Sequence, residues 1–233
     1  MKSFKVIAFA LCAGIVMSCN NTVKGTAIGA GGGAVLGAVV GKLAGNTAVG
    51  AAVGTAVGAG TGALIGRHMD KVKKQAEALQ AAQVETATDA NGLECVRLTF
   101  NESGIKFATG SATLTAASKN VLAELASVLK QNTDCDVAIQ GYTDNAGWKN
   151  STAEQSAQKN LNLSQQRAQA VTNYLMQTQG ITANQIRATQ GYGEANPVGD
   201  NSTAAGKAQN RRVEVYMYAS QAMIQAAEQG TLQ

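Results

Sequence analysis

Glycine recurs at positions 25, 29, 33, 37, 41 and 45, and, after one five-residue step, at 50, 54, 58, 62 and 66. A four-residue repeat returns to the same side of an α-helix, so each run draws one bare stripe along a helix. In water, glycine inside a helix costs about 1 kcal/mol per residue relative to alanine. Such a stripe is useful where backbones must approach closely, as small-residue helix pairs do in lipid. Ala, Val, Leu and Ile fill the other faces, and no Asp or Glu occurs between Cys19 and Gly66. Lys42, Asn46 and Thr47 mark a turn. The segment 25–66 therefore reads as a glycine-zipper helical hairpin with arms of about 25–43 and 49–66, the shorter near the lower limit for crossing a bilayer. An interfacial helical pair or a glycine-rich linker also fits, although the absence of Ser, Pro and Asp disfavours a plain linker.

What precedes the ladder reads as a lipoprotein signal peptide, residues 1–18. Two lysines lie within Met1–Lys5, and Val6–Val16 is an unbroken apolar and small run, too short to span comfortably. Val16-Met17-Ser18-Cys19 resembles the lipobox read by the lipoprotein signal peptidase. That resemblance implies diacylglycerol on the Cys19 sulfur, cleavage before it and acylation of the new amine, leaving 19–24 as a lipidated N-terminus. Two or three acyl chains, at roughly 0.8 kcal/mol per buried methylene, anchor a protein stably. Asn20-Asn21 carries no acidic residue, which favours the outer membrane over retention in the inner one. Two crossings by the hairpin would return the chain to the periplasmic side.

The 19 basic residues become 17 once Lys2 and Lys5 leave with the leader, against 15 acidic ones. A nearly neutral mature chain gives no support for nucleic-acid binding. Met69, Val72, Ala76, Leu79 and Gln83 follow helical spacing among Lys, Gln and Glu, which predicts a helical stalk or linker over 67–92, with a loop from Thr86 to Gly92. Self-association through the stalk or the glycine stripe stays open.

Ordinary folding signals begin at 93. Leu93–Phe100 alternates as a strand, Asn101–Gly104 turns, and Ile105–Phe107 reads as a short second strand. Thr115 is placed to cap a helix with Val121, Leu122, Leu125, Val128 and Leu129 on one stripe. Cys135–Tyr142 alternates again. Ser164 is read as the cap of a second helix with Ala168, Val171 and Leu175 inward and Gly180 as its stop. Ile186–Tyr192 and Arg212–Tyr218 supply the last strands. Two main helices among strands with mixed connections imply an α+β two-layer sandwich over 93–219, with 220–233 as a tail. Strand parity sets Cys95 and Cys135 on opposite faces, which disfavours a disulfide without removing it.

Gly141-Tyr142-Thr143-Asp144-Asn145-Ala146-Gly147, then Asn160, Leu163-Ser164, Arg167-Ala168 and Val171, then Gly191-Tyr192-Gly193 and Asn210-Arg211-Arg212-Val213-Glu214, run in the order of a known family. The stretch resembles the OmpA-like peptidoglycan-binding domain, and with the lipobox and glycine repeat the chain resembles the glycine-zipper lipoproteins of that family. The resemblance implies a non-enzymatic tether, lipid-anchored in the outer membrane, whose periplasmic domain binds the diaminopimelate-containing stem of peptidoglycan. Its motif gives Asp144 the ligand ammonium and Arg167 the carboxylate, with Asn160, Thr143, Asn145 and Arg211 lining the pocket. Arg212 is read as a structural salt-bridge residue. The chemistry agrees, because a diaminopimelate end is a zwitterion and a guanidinium holds a carboxylate by two parallel bonds. Placed just after Ser164, Arg167 would also share a helix N-terminus.

Two departures from the family stand out. Trp148–Lys159 is inserted beside the pocket, where Trp148 either stacks on a glycan ring or packs locally, and Gly110 stands where the family often has Asn. The mature chain's single His, at 68, lies outside the expected domain, so no Ser-His or His-metal site is expected, and no cofactor or metal is called for. A paired-carboxylate glycosidase would want two acids around a cleft. A stator-type ion motor would want an ionisable acid in its membrane segment, and residues 20–66 hold none. An oligomeric zipper or pore-forming protein with a wall-docking domain is the alternative.

Overall fold

The computed structural model describes residues 59–89 and 92–232. The leader, Cys19 and the ladder up to Gly58 lie outside them. The described chain runs α1 (Ala59–Ala76), β1 (Gln83–Thr88), β2 (Glu94–Phe100), α2 (Ala116–Gln131), β3 (Cys135–Gly141), α3 (Ala153–Asn173), β4 (Ile186–Gly191), α4 (Ala204–Asn210), β5 (Val213–Ala219) and α5 (Gln221–Glu228). A π-helical turn at Tyr174–Thr178 follows α3 directly. The strands form one sheet in the order β1-β2-β5-β3-β4, with β3 and β4 parallel and the other pairs antiparallel. This is the expected α+β arrangement. The parallel β3–β4 pair requires a crossover, and α3 supplies it.

Period-two alternation decides which face is covered. Val96, Leu98 and Phe100 of β2, Val137 and Ile139 of β3, and Val213, Val215 and Met217 of β5 share the main core with Leu122, Leu125 and Leu129 of α2 and Ala168 and Val171 of α3. The opposite face gathers a smaller cluster of Cys95, Ala138, Tyr216 and Tyr218. Cys135 belongs to the main core and Cys95 to the other cluster, so the two are free thiols on opposite sides of the sheet.

The expected stalk is instead part of the fold. α1 continues unbroken past Gly66, and Ile65, Met69, Val72 and Ala76 are at most 2% exposed in the main core. Fully burying a large apolar side chain stabilises by roughly 1.5–3 kcal/mol, so this stripe docks the helix rather than leaving it to stand off in water. The helix therefore runs through the boundary expected at 66, and no described helix is long and apolar enough to cross a membrane. Gln83–Thr88, which includes the start of the expected loop, pairs antiparallel with β2 as an edge strand. The expected tail also folds. Ser220 caps α5, whose Met223, Ile224 and Ala227 are buried. The short strand expected at Ile105–Phe107 reduces to one isolated bridge, Phe107 to Leu114.

A correction at α3 bears on the site. The helix begins eleven residues before Ser164, at Ala153. Thr152 caps it by accepting from the Gln155 backbone N–H, while the Gln155 side chain accepts from the Thr152 N–H. Ser164 is mid-helix and wholly buried. Its hydroxyl donates to Leu161 O at 2.7 Å and accepts from Gly193 N–H at 2.8 Å. Of the stretch read as an insertion, Trp148–Thr152 forms the loop before the helix and Ala153–Lys159 its first turns.

Two glycines let α3 approach the sheet. Gly141 and Gly191 face each other across the parallel pair. A Cβ on Gly141 would sit 2.4 Å from Ser164 O, and one on Gly191 would sit 2.1 Å from Gln165 N. Bare backbone at both positions seats the middle of α3 on the ends of β3 and β4. Arg167, one turn past Ser164, is thereby brought to the edge where the loop after β3 carries Asp144.

Candidate functional site

A pocket of about 540 Å³ opens at this edge, lined by residues that include Glu102, Phe107, Gly110, Thr143, Asp144, Trp148, Asn160, Arg167 and Arg211. Five of the six site residues expected from sequence line it. Asn145 does not, and its side chain is exposed.

Arg167 projects from the middle of α3, so no helix N-terminus assists it. It is 9% exposed, with its Nε donating to Ser111 O at 3.1 Å and its guanidinium 5.1 Å from the Phe107 ring centroid. Its terminal nitrogens make no hydrogen bond among the described residues. Burial and the nearby Arg211 cation lower its pKa, while the carboxylates of Glu102 and Asp144 oppose the shift. A desolvated guanidinium with a free fork is an incomplete cation site, and an anion completes it.

Asp144 does not pair with Arg167. Its Oδ1 accepts from Ala146 N–H at 3.0 Å, which folds the loop into an Asx turn, and its Oδ2 accepts from Arg211 Nη1 at 2.5 Å. Arg211 also grips Glu102 with two parallel bonds of 2.6 and 2.7 Å. That contact holds the Glu102 carboxyl below its ordinary range and raises the Arg211 guanidinium. Arg211 is thus a strut between two carboxylates. It follows Asn210, whose fully buried amide accepts from the backbone N–H groups of Val198 and Gly199 and donates to Gly199 O and Asn201 Oδ1. Glu102, within the turn expected at Asn101–Gly104, is a pocket residue that sequence reasoning missed. Its only signal was an acid in a loop.

Asn160 braces the loop from below. At 4% exposure, its Nδ2 donates to Ala146 O at 3.1 Å and its Oδ1 accepts from Trp148 Nε1 at 2.7 Å. Trp148 is therefore held by its indole N–H, with Lys159 Nζ 5.8 Å from its ring, and it forms one wall of the pocket. Thr143 donates its backbone N–H to Gly193 O at 2.8 Å, and its buried Oγ1 makes no hydrogen bond among the described residues. Gly110 adopts φ +63°, a left-handed conformation that Gly takes freely and Asn tolerates.

Behind the pocket, Arg212 donates to Glu214 Oε1 at 2.6 Å and lies 3.8 Å from the Tyr142 ring centroid, with Tyr142 stacked on Tyr192 at 5.3 Å. Arg212 is structural, as expected. The site as a whole presents fixed carboxylate and guanidinium groups to one solvent-accessible pocket, a layout suited to holding a zwitterion.

This sheet, crossover helix and charged pocket define an OmpA-like domain. Residues 106–211 match the OmpA family and residues 1–70 match the YMGG-like Gly-zipper, so the chain carries an OmpA-family domain behind a glycine-zipper segment. It is 47% identical over 113 residues to the probable lipoprotein YiaD of Escherichia coli, covering 48% of this chain and 47% of that protein. It is 40% identical over 111 residues to the peptidoglycan-binding protein ArfA of Mycobacterium tuberculosis, covering 48% of this chain and 31% of that protein. The matched stretch thus spans half or less of these relatives. Among solved structures it is similar to the cell wall anchor of the T6SS from Pseudomonas aeruginosa, with 27% identity, a TM-score of 0.50, and coverage of 65% of this chain and 97% of that one. A putative MotB-like protein from Desulfovibrio vulgaris shares the fold at 22% identity and a TM-score of 0.55, over 69% of this chain and 96% of that one.

Proposed function

We propose that this protein is a non-enzymatic outer-membrane lipoprotein that tethers the membrane to the cell wall by holding the free amino-acid end of diaminopimelate in a peptidoglycan stem. The observation that carries this reading is the unfilled fork of Arg167 in the same pocket as the Asp144 carboxylate. The fork receives the ligand carboxylate by two parallel bonds, and Asp144 receives the ammonium on lone pairs left over from Ala146 and Arg211. Thr143 Oγ1 is a further hydrogen-bonding group at the floor. The similarity to YiaD, ArfA and the T6SS cell wall anchor, in name a lipoprotein and two wall binders, supports the same assignment. The lipid anchor rests on the Cys19 lipobox and lies outside the described residues.

The site is built for grip rather than chemistry. Both acids that line the pocket, Glu102 and Asp144, are held in ion pairs by Arg211. Pull-down with isolated sacculi tests the reading. The full chain should sediment with them, and the folded double variant Asp144→Ala/Arg167→Ala should not. Undiminished sedimentation of that variant would refute the assignment.

A further inference from the structure

Docking α1 onto the sheet has a chemical consequence at the opposite end of β3 from the pocket. His68 on α1, Asp134 in the turn after α2 and Cys135 at the start of β3 meet, with one ligand atom from each lying within 4.8 Å of the others. His68 Nε2 is 3.0 Å from Asp134 Oδ2. Asp134 and Cys135 are neighbours in sequence, and the docking of α1 brings His68 to them.

The turn that carries two of the donors is rigidly held. Asn132 donates from its side chain to Gln75 Oε1 of α1 at 2.6 Å and to Val128 O at 2.8 Å. Its carbonyl accepts from Cys135 N–H at 3.1 Å and from Gln185 Nε2 at 2.9 Å. Burial is graded as well. The Cys135 side chain and the His68 Nε2 atom are sealed, while the Asp134 side chain is 40% exposed.

We propose that His68, Asp134 and Cys135 form a Zn²⁺ site that staples α1 to the sheet. Imidazole, carboxylate and thiolate are the ordinary zinc donors, and three protein ligands leave the fourth tetrahedral position to water. Charge balances, because one thiolate and one carboxylate neutralise a dication. Binding forms the zinc–sulfur bond as the S–H proton passes to solvent. The staple joins the helix that continues from the glycine ladder to the domain that carries the pocket.

Cobalt titration of the full, untagged chain in detergent tests the site, since Co²⁺ bound by a thiolate shows a sulfur-to-metal charge-transfer band. One equivalent of Co²⁺ should produce the band and Zn²⁺ should abolish it. Cys135→Ser should lose it, and Cys95→Ser, altering the buried thiol on the other face, should keep it. His68→Gln and Asp134→Asn change partly exposed side chains and decide the matter should Cys135→Ser fail to fold. Each should weaken Zn²⁺ by roughly tenfold or more in competition with a chromophoric chelator. A wild-type chain with no charge-transfer band, a band that survives in Cys135→Ser, or unchanged zinc affinity in both surface variants would overturn the proposal. Wall binding is measured separately, so its outcome is independent.

Discussion

Asp144→Asn separates the charge of the pocket from its shape. The amide oxygen of Asn can still accept from Ala146 N–H, which the carboxylate does at 3.0 Å, so the loop keeps its Asx turn. What disappears is the negative charge facing Arg211 and any ligand ammonium. Arg211 remains gripped by Glu102 through two bonds, and its own side chain is 27% exposed, so solvent screens the lost pair. The folding cost should be about 1 kcal/mol, a fall of about 3 °C in Tm for a domain of this size. Binding should suffer more. A charge-assisted hydrogen bond contributes about 1.5–3 kcal/mol, or roughly 10- to 150-fold in Kd. Calorimetry with a soluble stem peptide ending in free diaminopimelate measures the second quantity, and thermal unfolding measures the first. An Asp144→Asn variant that folds normally and binds within about threefold of the parent would refute the role given to the carboxylate.

Other perturbations probe how the site is supported. Asn160→Ala should lower stability by about 1–3 kcal/mol, because its buried amide leaves Trp148 Nε1 and Ala146 O without partners. Weaker stem-peptide binding should accompany the Tm loss. Gly191→Ala should cost about 2–3 kcal/mol or prevent folding, since its Cβ would press against α3 backbone; an unchanged Tm would show that the helix is not seated as described. Cys19→Ser should abolish acyl labelling in cells and leave the precursor uncleaved. Persistent labelling would place the lipid elsewhere.

Much of the sheet was legible because its strands alternate cleanly: Val96, Leu98 and Phe100, or Val213, Val215 and Met217, give both the period and the buried face. The stripe of Met69, Val72, Ala76 and Leu79 announced a helix, but periodicity does not name a partner, and that partner turned out to be the domain core. Gln83–Thr88 was missed because an edge strand with few buried side chains carries little pattern. The start of α3 was missed because its first turns, from Ala153 to Asn160, are largely polar, which made Ser164 look like a cap. The Thr152 and Gln155 capping box was nevertheless present in the sequence.

At the site, motif order identified Asp144 and Arg167 as pocket residues. It could not reveal that Asp144 turns to Arg211, because that pairing depends on Glu102 arriving from a loop 109 residues away in sequence. Asn160 also proves to be a brace for Trp148 as much as a lining residue. His68 and Cys135 meet only because α1 folds back onto the sheet.

The central claim, that the pocket grips both ends of a zwitterion, is tested most directly by comparing two stem peptides in calorimetry. One ends its third residue in diaminopimelate, and the other carries lysine there, which keeps an ammonium but lacks the adjoining carboxylate. The role proposed for Arg167, two parallel bonds to that carboxylate, predicts that the lysine peptide binds the full chain at least roughly tenfold more weakly. In an Arg167→Lys variant, which retains the charge and loses the fork, the gap between the peptides should narrow. Equal affinity for the two peptides in the wild-type chain would contradict the account.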